Sequence, residues 1–433
     1  MQMALTRLTE FDALRGLMLV LMTITHLPTR LSSPLGQPFG YVSAAEGFVL
    51  LSAYMAGLVY GRTAVKKGIP AMSDAFWRRA FKVYASHLAT LLFLFTLIAG
   101  LGLSLDQGAA KNLMAFYLVD PFRALRAGAL LLYKPPLLDI LPMYVLFMLV
   151  SPWLMSWGLR RGWSGVLGLS ALLWLLAQFG LGQWLYDAKL AVFGGLLAFD
   201  ETGAFAFFAW QLLWVVGLWM GASRSEKNPV SFAPAPWLVV LAVGFAVVAL
   251  VWRHVVGQTP FAYGVAANVW FDKWQLGPLR LLNLLALGVI VIRFSPALLA
   301  WKPKWVFLQT LGSASLPVFA AQLVIVLLTL VVWGDLPAAR SPWGDGALLI
   351  ASFLALYLVA RLTLWVDRQA AKLVTERDQR RQFHAAMKAV AREAGGKPLR
   401  SRLLFRQEKG KLVLSQRTGD DNATETPPPL LPK

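Results

Sequence analysis

The sequence predicts an all-α polytopic membrane protein with about ten transmembrane helices and both termini in the cytoplasm. The 433 residues are 58% hydrophobic and only 15% charged, and they include 18 Trp and 26 Phe. Apolar runs of about 18 or more residues recur along the chain, as membrane-spanning helices require. The Lys and Arg residues concentrate in short loops between these runs and in the tail, where they orient a membrane protein.

Ten apolar stretches are the predicted spans. The first is not read as a cleaved signal peptide, because it carries Asp12 and Arg15, lacks a small-residue cleavage site and runs into a second span. The short loops after the even-numbered spans are the richest in Lys and Arg, so the positive-inside rule places both termini in the cytoplasm. The spans are residues 11–29, 42–61, 80–102, 137–158, 163–182, 204–222, 235–253, 276–294, 305–332 and 346–366.

The net charge of +19 resembles that of a nucleic-acid-binding protein, but its distribution favours anionic lipid as the partner. We therefore expect contact with the lipid bilayer and none with nucleic acid. The absence of cysteine excludes disulfides and thiolate nucleophiles. A transmembrane domain, residues 1–366, is predicted to precede a basic cytoplasmic tail, residues 367–433, which is helical to about residue 395 and disordered from residue 396.

Two segments on the predicted outer side are long enough to have a function. Residues 103–136 place charged residues among apolar ones, which predicts an amphipathic helix on the outer leaflet. Residues 254–275 mix glycine, aromatic and charged residues. This pattern fits either the cover of a binding site or a loop in an aromatic interface belt.

Arg15 and His26 lie eleven residues apart in the first span, FDALRGLMLVLMTITH. Eleven residues are close to three helical turns, so the two side chains share one face and stand roughly 16 Å apart along the axis. Asp12 precedes Arg15 by one turn and is expected to pair with it. Titratable side chains at membrane depth usually face a protein interior or cavity, which indicates a functional face. Alternatively, the two side chains reach opposite membrane surfaces without a shared role.

Glu46, near the outer end of the second span, is predicted to hydrogen-bond to His26. A carboxylate that orients an imidazole is the usual arrangement of a general base, which here would deprotonate a substrate hydroxyl. The alternative is a solvated helix cap. No metal site is expected, because the four histidines show no ligand spacing.

Other polar residues are candidates for binding. A basic group at the predicted cytoplasmic ends of the second and third spans is suited to a phosphorylated ligand, although topology alone also explains it. The group consists of Lys66, Lys67, Arg78, Arg79 and Lys82. Candidates for substrate binding are Asp139, Tyr144, Gln211, Lys273 and Arg280, of which the last two are placed to meet an anionic group.

The R-x10-H spacing of Arg15 and His26 resembles the signature of the acyltransferase-3 superfamily of membrane enzymes. Within that superfamily the chain resembles, from about residue 9 to residue 330, the OpgC-like succinyltransferases that act on osmoregulated periplasmic glucans. The motifs that carry this resemblance are FDALRGLMLVLMTITHLP, GYVSAAEGFVLLSAYMAGLVYG, WRRAFKVYASH, DILPMYVLF, AWQLLWVVG, DKWQLGPLRLLNLLAL and LGSASLPVF.

The resemblance implies an enzyme of the bacterial inner membrane. It would transfer an acyl group from cytoplasmic acyl-CoA, with succinyl-CoA as the first choice, to a hydroxyl of a periplasmic β-glucan. His26 would be the catalytic histidine, Arg15 the arginine of its helix, and Glu46 a member of the second-span motif. The basic motif of the third span would hold CoA through Arg78, Arg79 and Lys82, and Lys273 and Arg280 would meet the succinyl carboxylate or the glucan. The chain departs from the family pattern at Lys82, where arginine is more usual, and at Asn283 and Gln322, where histidine is expected.

Two alternatives remain open at this stage. One is an acetyl-CoA-dependent O-acetyltransferase that acts on another glycan of the cell envelope. The other, from a different class, is a transporter of an anionic solute, which would show inverted repeats that the sequence does not display strongly. The sequence also leaves open whether His26 is a base or an acyl carrier, and whether the chain forms a homo-oligomer.

Overall fold

A computed structural model of the chain describes residues 9–193, 197–225, 233–262, 264–300, 305–335, 341–393, 403–408 and 411–416. The chain divides into two compact units, Met1–Leu364 and Trp365–Lys433. The α-helices in the described residues are α1 (Thr9–His26), α2 (Ser32–Leu35), α3 (Ala44–Lys67), α4 (Ile69–Phe93), α5 (Ala99–Ser104), α6 (Gly108–Leu113), α7 (Ala115–Val119), α8 (Pro121–Ala129), α9 (Ile140–Arg161), α10 (Ser164–Gln178), α11 (Leu181–Phe193), α12 (Phe207–Ser223), α13 (Pro236–Val256), α14 (Pro278–Ala300), α15 (Val306–Ser313), α16 (Ser315–Trp333) and α17 (Pro342–Glu393).

Three short helical segments of other types complete the helical part. A π-helical segment, Leu94–Ile98, joins α4 to α5, and the residues on both sides of it keep helical backbone angles. Two 3-10 helices, Phe199–Thr202 and Ala266–Phe271, lie before α12 and before α14. The predicted all-α architecture of the first unit is therefore confirmed in the described residues.

Seven helices in the described residues are long and apolar enough to cross a membrane, which confirms a polytopic protein. They are α3, α4 with α5, α9, α12, α13, α16 and α17. The pair α10 and α11 is bent by 79° and raises the number to eight if it counts as one span. The two other predicted spans, α1 and α14, lie outside this set, and α1 carries Glu10, Asp12 and Arg15 within its 18 residues. The count of ten spans stays a prediction.

Glycines let α3 and α12 approach each other at backbone distance. A Cβ atom on Gly57 of α3 would overlap the carbonyl oxygen of Leu218, and one on Gly221 of α12 would overlap the carbonyl oxygen of Tyr54. Close backbone contact through small residues is the usual way in which helices associate in lipid. Lipid tails are as apolar as the side chains, so packing drives association instead of the hydrophobic effect. This contact fixes α3, whose N-terminal end forms part of the candidate site.

The first helix is held by α15 and α16. A Cβ atom on Gly16 of α1 would overlap the carbonyl oxygen of Leu308, and one on Gly312 of α15 would overlap that of Asp12, so α1 and α15 pack antiparallel. The next helix, α16, then follows α1 in the same direction. Because of this order, both ends of the polar face of α1 meet side chains of α16.

Residues 103–136 form three short helices, α6, α7 and α8, where the sequence predicts one amphipathic helix. Asp120 caps α8 by accepting a hydrogen bond from the amide of Arg123 at 3.0 Å. His87 of α4 lies buried with its Nε2 3.1 Å from the Gly128 carbonyl oxygen, which anchors the end of α8. The predicted single helix is interrupted between α7 and α8 at Asp120–Pro121, because proline lacks the amide hydrogen that would bond to the preceding turn.

The second unit contains a β-hairpin in its described residues. The strands β1 (Leu403–Glu408) and β2 (Lys411–Gln416) pair antiparallel, with Leu403 opposite Gln416. Both strands lie within residues 396–433, where the sequence predicts disorder, and each carries a run of apolar residues, LLF and LVL, in an otherwise polar segment. The remaining residues of that segment lie outside the described residues.

Candidate active site

His26 lines a cavity of about 490 Å³ at the end of α1. We call this the histidine cavity. Residues from five separate regions of the first unit form its wall. They include His26, Lys134, Asp139, Glu201, Lys273 and Phe319. The half-buried imidazole therefore faces a cavity that has room for part of a substrate. This position agrees with the predicted functional face of α1.

The partner of His26 is Gln322. Its Nε2 lies 3.0 Å from His26 Nδ1, and Gln322 is fully buried in α16. When the amide nitrogen donates to Nδ1, the neutral imidazole carries its proton on Nε2. When the amide is turned over, its oxygen accepts a hydrogen bond from Nδ1–H, and Nε2 becomes the free base. The second orientation is the one that general-base chemistry requires.

Arg15 lines a second, smaller cavity of about 20 Å³, which we call the arginine cavity. Arg15 donates a hydrogen bond to Ser315 Oγ, and its Nη1 lies 3.9 Å from Asp12 Oδ1, which confirms the predicted pair. Arg79 and Tyr144 line the same cavity. Arg15 of α1 thus contacts Ser315 of α16, and His26 of α1 contacts Gln322 of the same helix.

The two cavities share two lining residues, Ile140 and Phe319. Ile140 is the first residue of α9, and Phe319 lies on α16 about one turn from Gln322. Both side chains are apolar and almost fully buried. A long, flexible ligand that enters at Arg15 and ends at His26 would pass between these two side chains.

The predicted hydrogen bond between Glu46 and His26 is wrong. Glu46 is fully buried and its Oε1 lies 3.1 Å from Nη1 of Arg280, which is 234 residues away in the chain. Its other carboxylate oxygen accepts hydrogen bonds from the amide and the hydroxyl of Ser43 and so caps α3. These contacts join Glu46 to Arg280 and Ser43, and no hydrogen bond joins it to His26 in the part of the chain that the structure describes.

The ion pair of Glu46 and Arg280 belongs to a network that fixes one wall of the histidine cavity. Arg280 also donates to the carbonyl oxygen of Tyr41, and Asn283 Oδ1 accepts a hydrogen bond from the Tyr41 amide at 2.8 Å. Both α14 side chains are buried. The network therefore ties the segment before α3 to α14, and Ser43 of that segment lines the cavity.

Arg280, which the sequence predicts to bind substrate, is held by this network, and its role in binding stays a prediction. Its guanidinium is buried against protein groups, and it does not line either cavity. Lys273, predicted with it, does line the histidine cavity. Its Nζ lies 4.7 Å from the centroid of the Trp274 ring and 6.0 Å from that of Phe205.

Lys134 is a second lysine of the histidine cavity, and the sequence interpretation did not select it. Its amide donates to the Glu201 carbonyl oxygen at 3.0 Å, and its side chain packs against Gly203. Gly203 has a φ of +97°, which favours glycine, and a Cβ atom there would lie 2.9 Å from the Lys134 side chain. Burial lowers the pKa of both Lys134 and Lys273.

The remaining predicted residues divide between the cavities and other positions. Asp139, almost fully buried, lines the histidine cavity, and Tyr144 lines the arginine cavity. Gln211 lines neither: its Oε1 accepts from Ser170 Oγ at 2.7 Å, and its Nε2 donates to the Ser170 carbonyl oxygen, so it joins α12 to α10. Its predicted role in substrate binding stays a prediction.

Of the five basic residues proposed for a phosphorylated ligand, Arg79 alone lines a cavity. Arg78 has an exposed side chain that pairs with Asp74, their N and O atoms lying 3.9 Å apart. The other three, Lys66, Lys67 and Lys82, are also exposed. Binding of a nucleotide by these exposed residues stays a prediction.

The membrane-length helices and the cavity lined by His26 define a polytopic membrane protein with a candidate site at this histidine. A family model described as "OpgC protein" matches residues 7–368, and the chain belongs to this family. Membership implies an acyltransferase that acts on osmoregulated periplasmic glucans. No curated protein and no solved structure matches the chain.

Proposed function

We propose that the protein is a bacterial inner-membrane O-acyltransferase that moves a succinyl group from cytoplasmic succinyl-CoA to a hydroxyl of a periplasmic β-glucan. One observation carries this proposal. His26 lines a cavity that shares the lining residues Ile140 and Phe319 with the arginine cavity. This arrangement supports a site that an activated thioester reaches from the Arg15 end and an acceptor from the His26 end.

The donor end of the proposed site is the arginine cavity. Arg79 would bind a phosphate of CoA, since a guanidinium makes bidentate contacts with phosphate oxygens. The exposed Arg78, Lys66, Lys67 and Lys82 would hold the rest of the nucleotide. The pantetheine arm would then extend along α1, over the roughly 16 Å that separate three helical turns, and present its thioester to His26.

The proposed reaction is a single acyl transfer in which His26 is the general base. His26 Nε2 takes the proton of the glucan hydroxyl while the hydroxyl oxygen attacks the thioester carbonyl carbon. The carbon–sulfur bond breaks, and the CoA thiolate leaves with the proton that the imidazolium returns. This role of His26 requires the turned-over amide of Gln322, whose Oε1 would accept from Nδ1–H and so leave Nε2 free.

The test is acyl transfer by the purified full-length protein in lipid nanodiscs, with labelled succinyl-CoA and a β-glucan acceptor. His26→Ala should lower the rate by roughly 10²- to 10⁴-fold, the usual contribution of a general base. His254→Ala is the matched control, because His254 is an exposed histidine of α13 and should leave the rate unchanged. A His26→Ala protein that acylates at the normal rate would refute the proposal.

The same assay separates the donor alternatives. Acetyl-CoA is supplied in parallel, and the product glucan is weighed by mass spectrometry. A succinyl increment on the glucan supports the proposed donor. An acetyl increment of equal or greater yield would identify acetyl-CoA as the donor instead. The proposed reaction type would then stay the same.

A further inference from the structure

Two lysine side chains open onto the histidine cavity without a partner of opposite charge. Lys134 and Lys273 both line the cavity and are half-buried. Neither ammonium group forms an ion pair or a hydrogen bond with another residue in the part of the chain that the structure describes. An ammonium group withdrawn from water is costly unless an anion compensates it.

The protein holds both side chains in place. Lys273 lies against the rings of Trp274 and Phe205, which attract a cation through their electron-rich faces. The stem of Lys134 packs against Gly203, where no Cβ atom stands in the way. Both lysines are therefore fixed at the cavity wall, in contrast with lysines on a surface, which move freely in solvent.

Three carboxylates also line the histidine cavity, and none of them forms an ion pair with either lysine in the part of the chain that the structure describes. Asp139 acts electrostatically on both lysines but does not pair with either. Glu46 also acts on Lys273, but its charge is engaged by Arg280. Two more acidic residues, Asp200 and Glu201, line the cavity at its more exposed side. Because neither ammonium group is paired directly with a carboxylate, each is available to an anionic group of a ligand in the cavity.

We propose that Lys134 and Lys273 bind the free carboxylate of a dicarboxylic acyl chain and so determine which acyl group is transferred. This assignment rests on the proposed acyl transfer at His26. A monocarboxylic chain of the same length brings no second charge and would leave both ammonium groups without a partner. A site built around a polar group of its substrate rejects the analogue that lacks it.

The experiment compares succinyl-CoA with butyryl-CoA, a chain of equal carbon number that ends in a methyl group. The full-length protein in nanodiscs is assayed with a β-glucan acceptor, and kcat/KM is measured for each donor. Lys134→Met and Lys273→Met should each lower kcat/KM for succinyl-CoA by about tenfold or more, as expected for a lost hydrogen bond to a charged group. The value for butyryl-CoA should stay unchanged or rise.

Two further variants serve as controls. Lys111→Met removes a lysine of the same segment that pairs with Asp106, and it should change neither value. Lys134→Arg keeps the charge and should retain the preference for succinyl-CoA. An equal loss for both donors in the Met variants would overturn the assignment, since a damaged fold or a lost acceptor site affects both alike.

The wild-type protein distinguishes failure of this assignment from failure of the proposed function. Transfer of succinyl and butyryl groups with equal efficiency would overturn carboxylate recognition and leave the acyltransferase standing. Transfer from neither donor would overturn the acyltransferase and this assignment with it. A wild-type preference for succinyl-CoA that the two Met variants abolish supports both.

Discussion

Gln322 Nε2 on α16 lies 3.0 Å from His26 Nδ1 on α1. This contact gives the imidazole a fixed orientation by means of an uncharged partner. A carboxylate in the same place would stabilise the imidazolium, whereas an amide leaves the two protonation states closer in energy. Gln322 also stands where the resemblance leads one to expect histidine.

Replacement of Gln322 tests its role in orienting the base. Gln322→Leu should lower kcat by about tenfold, because the imidazole loses its orientation but keeps its nitrogen. The KM values for donor and acceptor should change much less. Steady-state kinetics on the purified full-length variant measure both. A change in KM alone would mean that Gln322 binds substrate.

The variant Gln322→Glu tests the electrostatic part of the same contact. A carboxylate beside Nδ1 favours the imidazolium, which is inactive as a base at the start of the reaction. The acidic limb of the rate profile should therefore move to higher pH than in the wild-type protein. A limb that stays in place would show that the side chain at position 322 does not act on the titrating group.

Ile140 is placed to control passage between the two cavities. Ile140→Trp should lower kcat/KM for the acyl-CoA by at least about tenfold, because the larger ring fills the space next to Phe319. Ile140→Val keeps the passage open and should retain nearly normal activity. Thermal unfolding of both variants measures the cost of the altered packing separately. Equal activity of the Trp and Val variants would contradict a passage at this point.

The buried pair of Glu46 and Arg280 is expected to stabilise the fold more than it serves catalysis. Glu46→Leu leaves Arg280 buried without its counter-charge, a loss of about 3–5 kcal/mol in comparable cases, and should lower the melting temperature sharply. The double variant Glu46→Leu, Arg280→Met should be more stable than the single one, because no uncompensated charge remains. A single variant with normal stability and an abolished kcat would instead assign Glu46 to the reaction.

The pH dependence of donor binding tests Lys273. Burial lowers the pKa of Lys273, so its ammonium group loses its charge at a lower pH than an exposed lysine does. The KM for succinyl-CoA should rise as the pH rises through that value, while the KM for butyryl-CoA should not. Lys273→Arg should shift the rise to higher pH, since arginine stays charged. An alkaline rise that is the same for both donors would contradict carboxylate binding by Lys273.

The features that the sequence predicted well are those that lie within one helix. The distance between Arg15 and His26, and their position on one face, follow from the helical repeat alone. The pair of Asp12 and Arg15 is set by the same repeat. The helical, polytopic architecture follows from the length of the apolar runs, which bilayer thickness fixes.

The features that the sequence did not predict depend on which helices are neighbours. Glu46 pairs with Arg280 instead of His26 because α14 lies against the segment before α3, and no local spacing encodes that contact. Gln322 was noted for its departure from the family pattern, but its contact with His26 follows from the parallel course of α1 and α16. Lys134 lies in a segment that the sequence predicts as an outer-leaflet surface helix. Its place in the cavity depends on the turn at Gly203.

The central claim is that a thioester from the Arg15 side meets the imidazole of His26 inside the bundle. The most direct test is an experimental structure of the full-length protein in nanodiscs with a non-hydrolysable succinyl-CoA analogue. The account predicts a pantetheine arm that passes between Ile140 and Phe319, with the succinyl group in the histidine cavity beside His26. An analogue that binds outside both cavities, with His26 out of its reach, would contradict it.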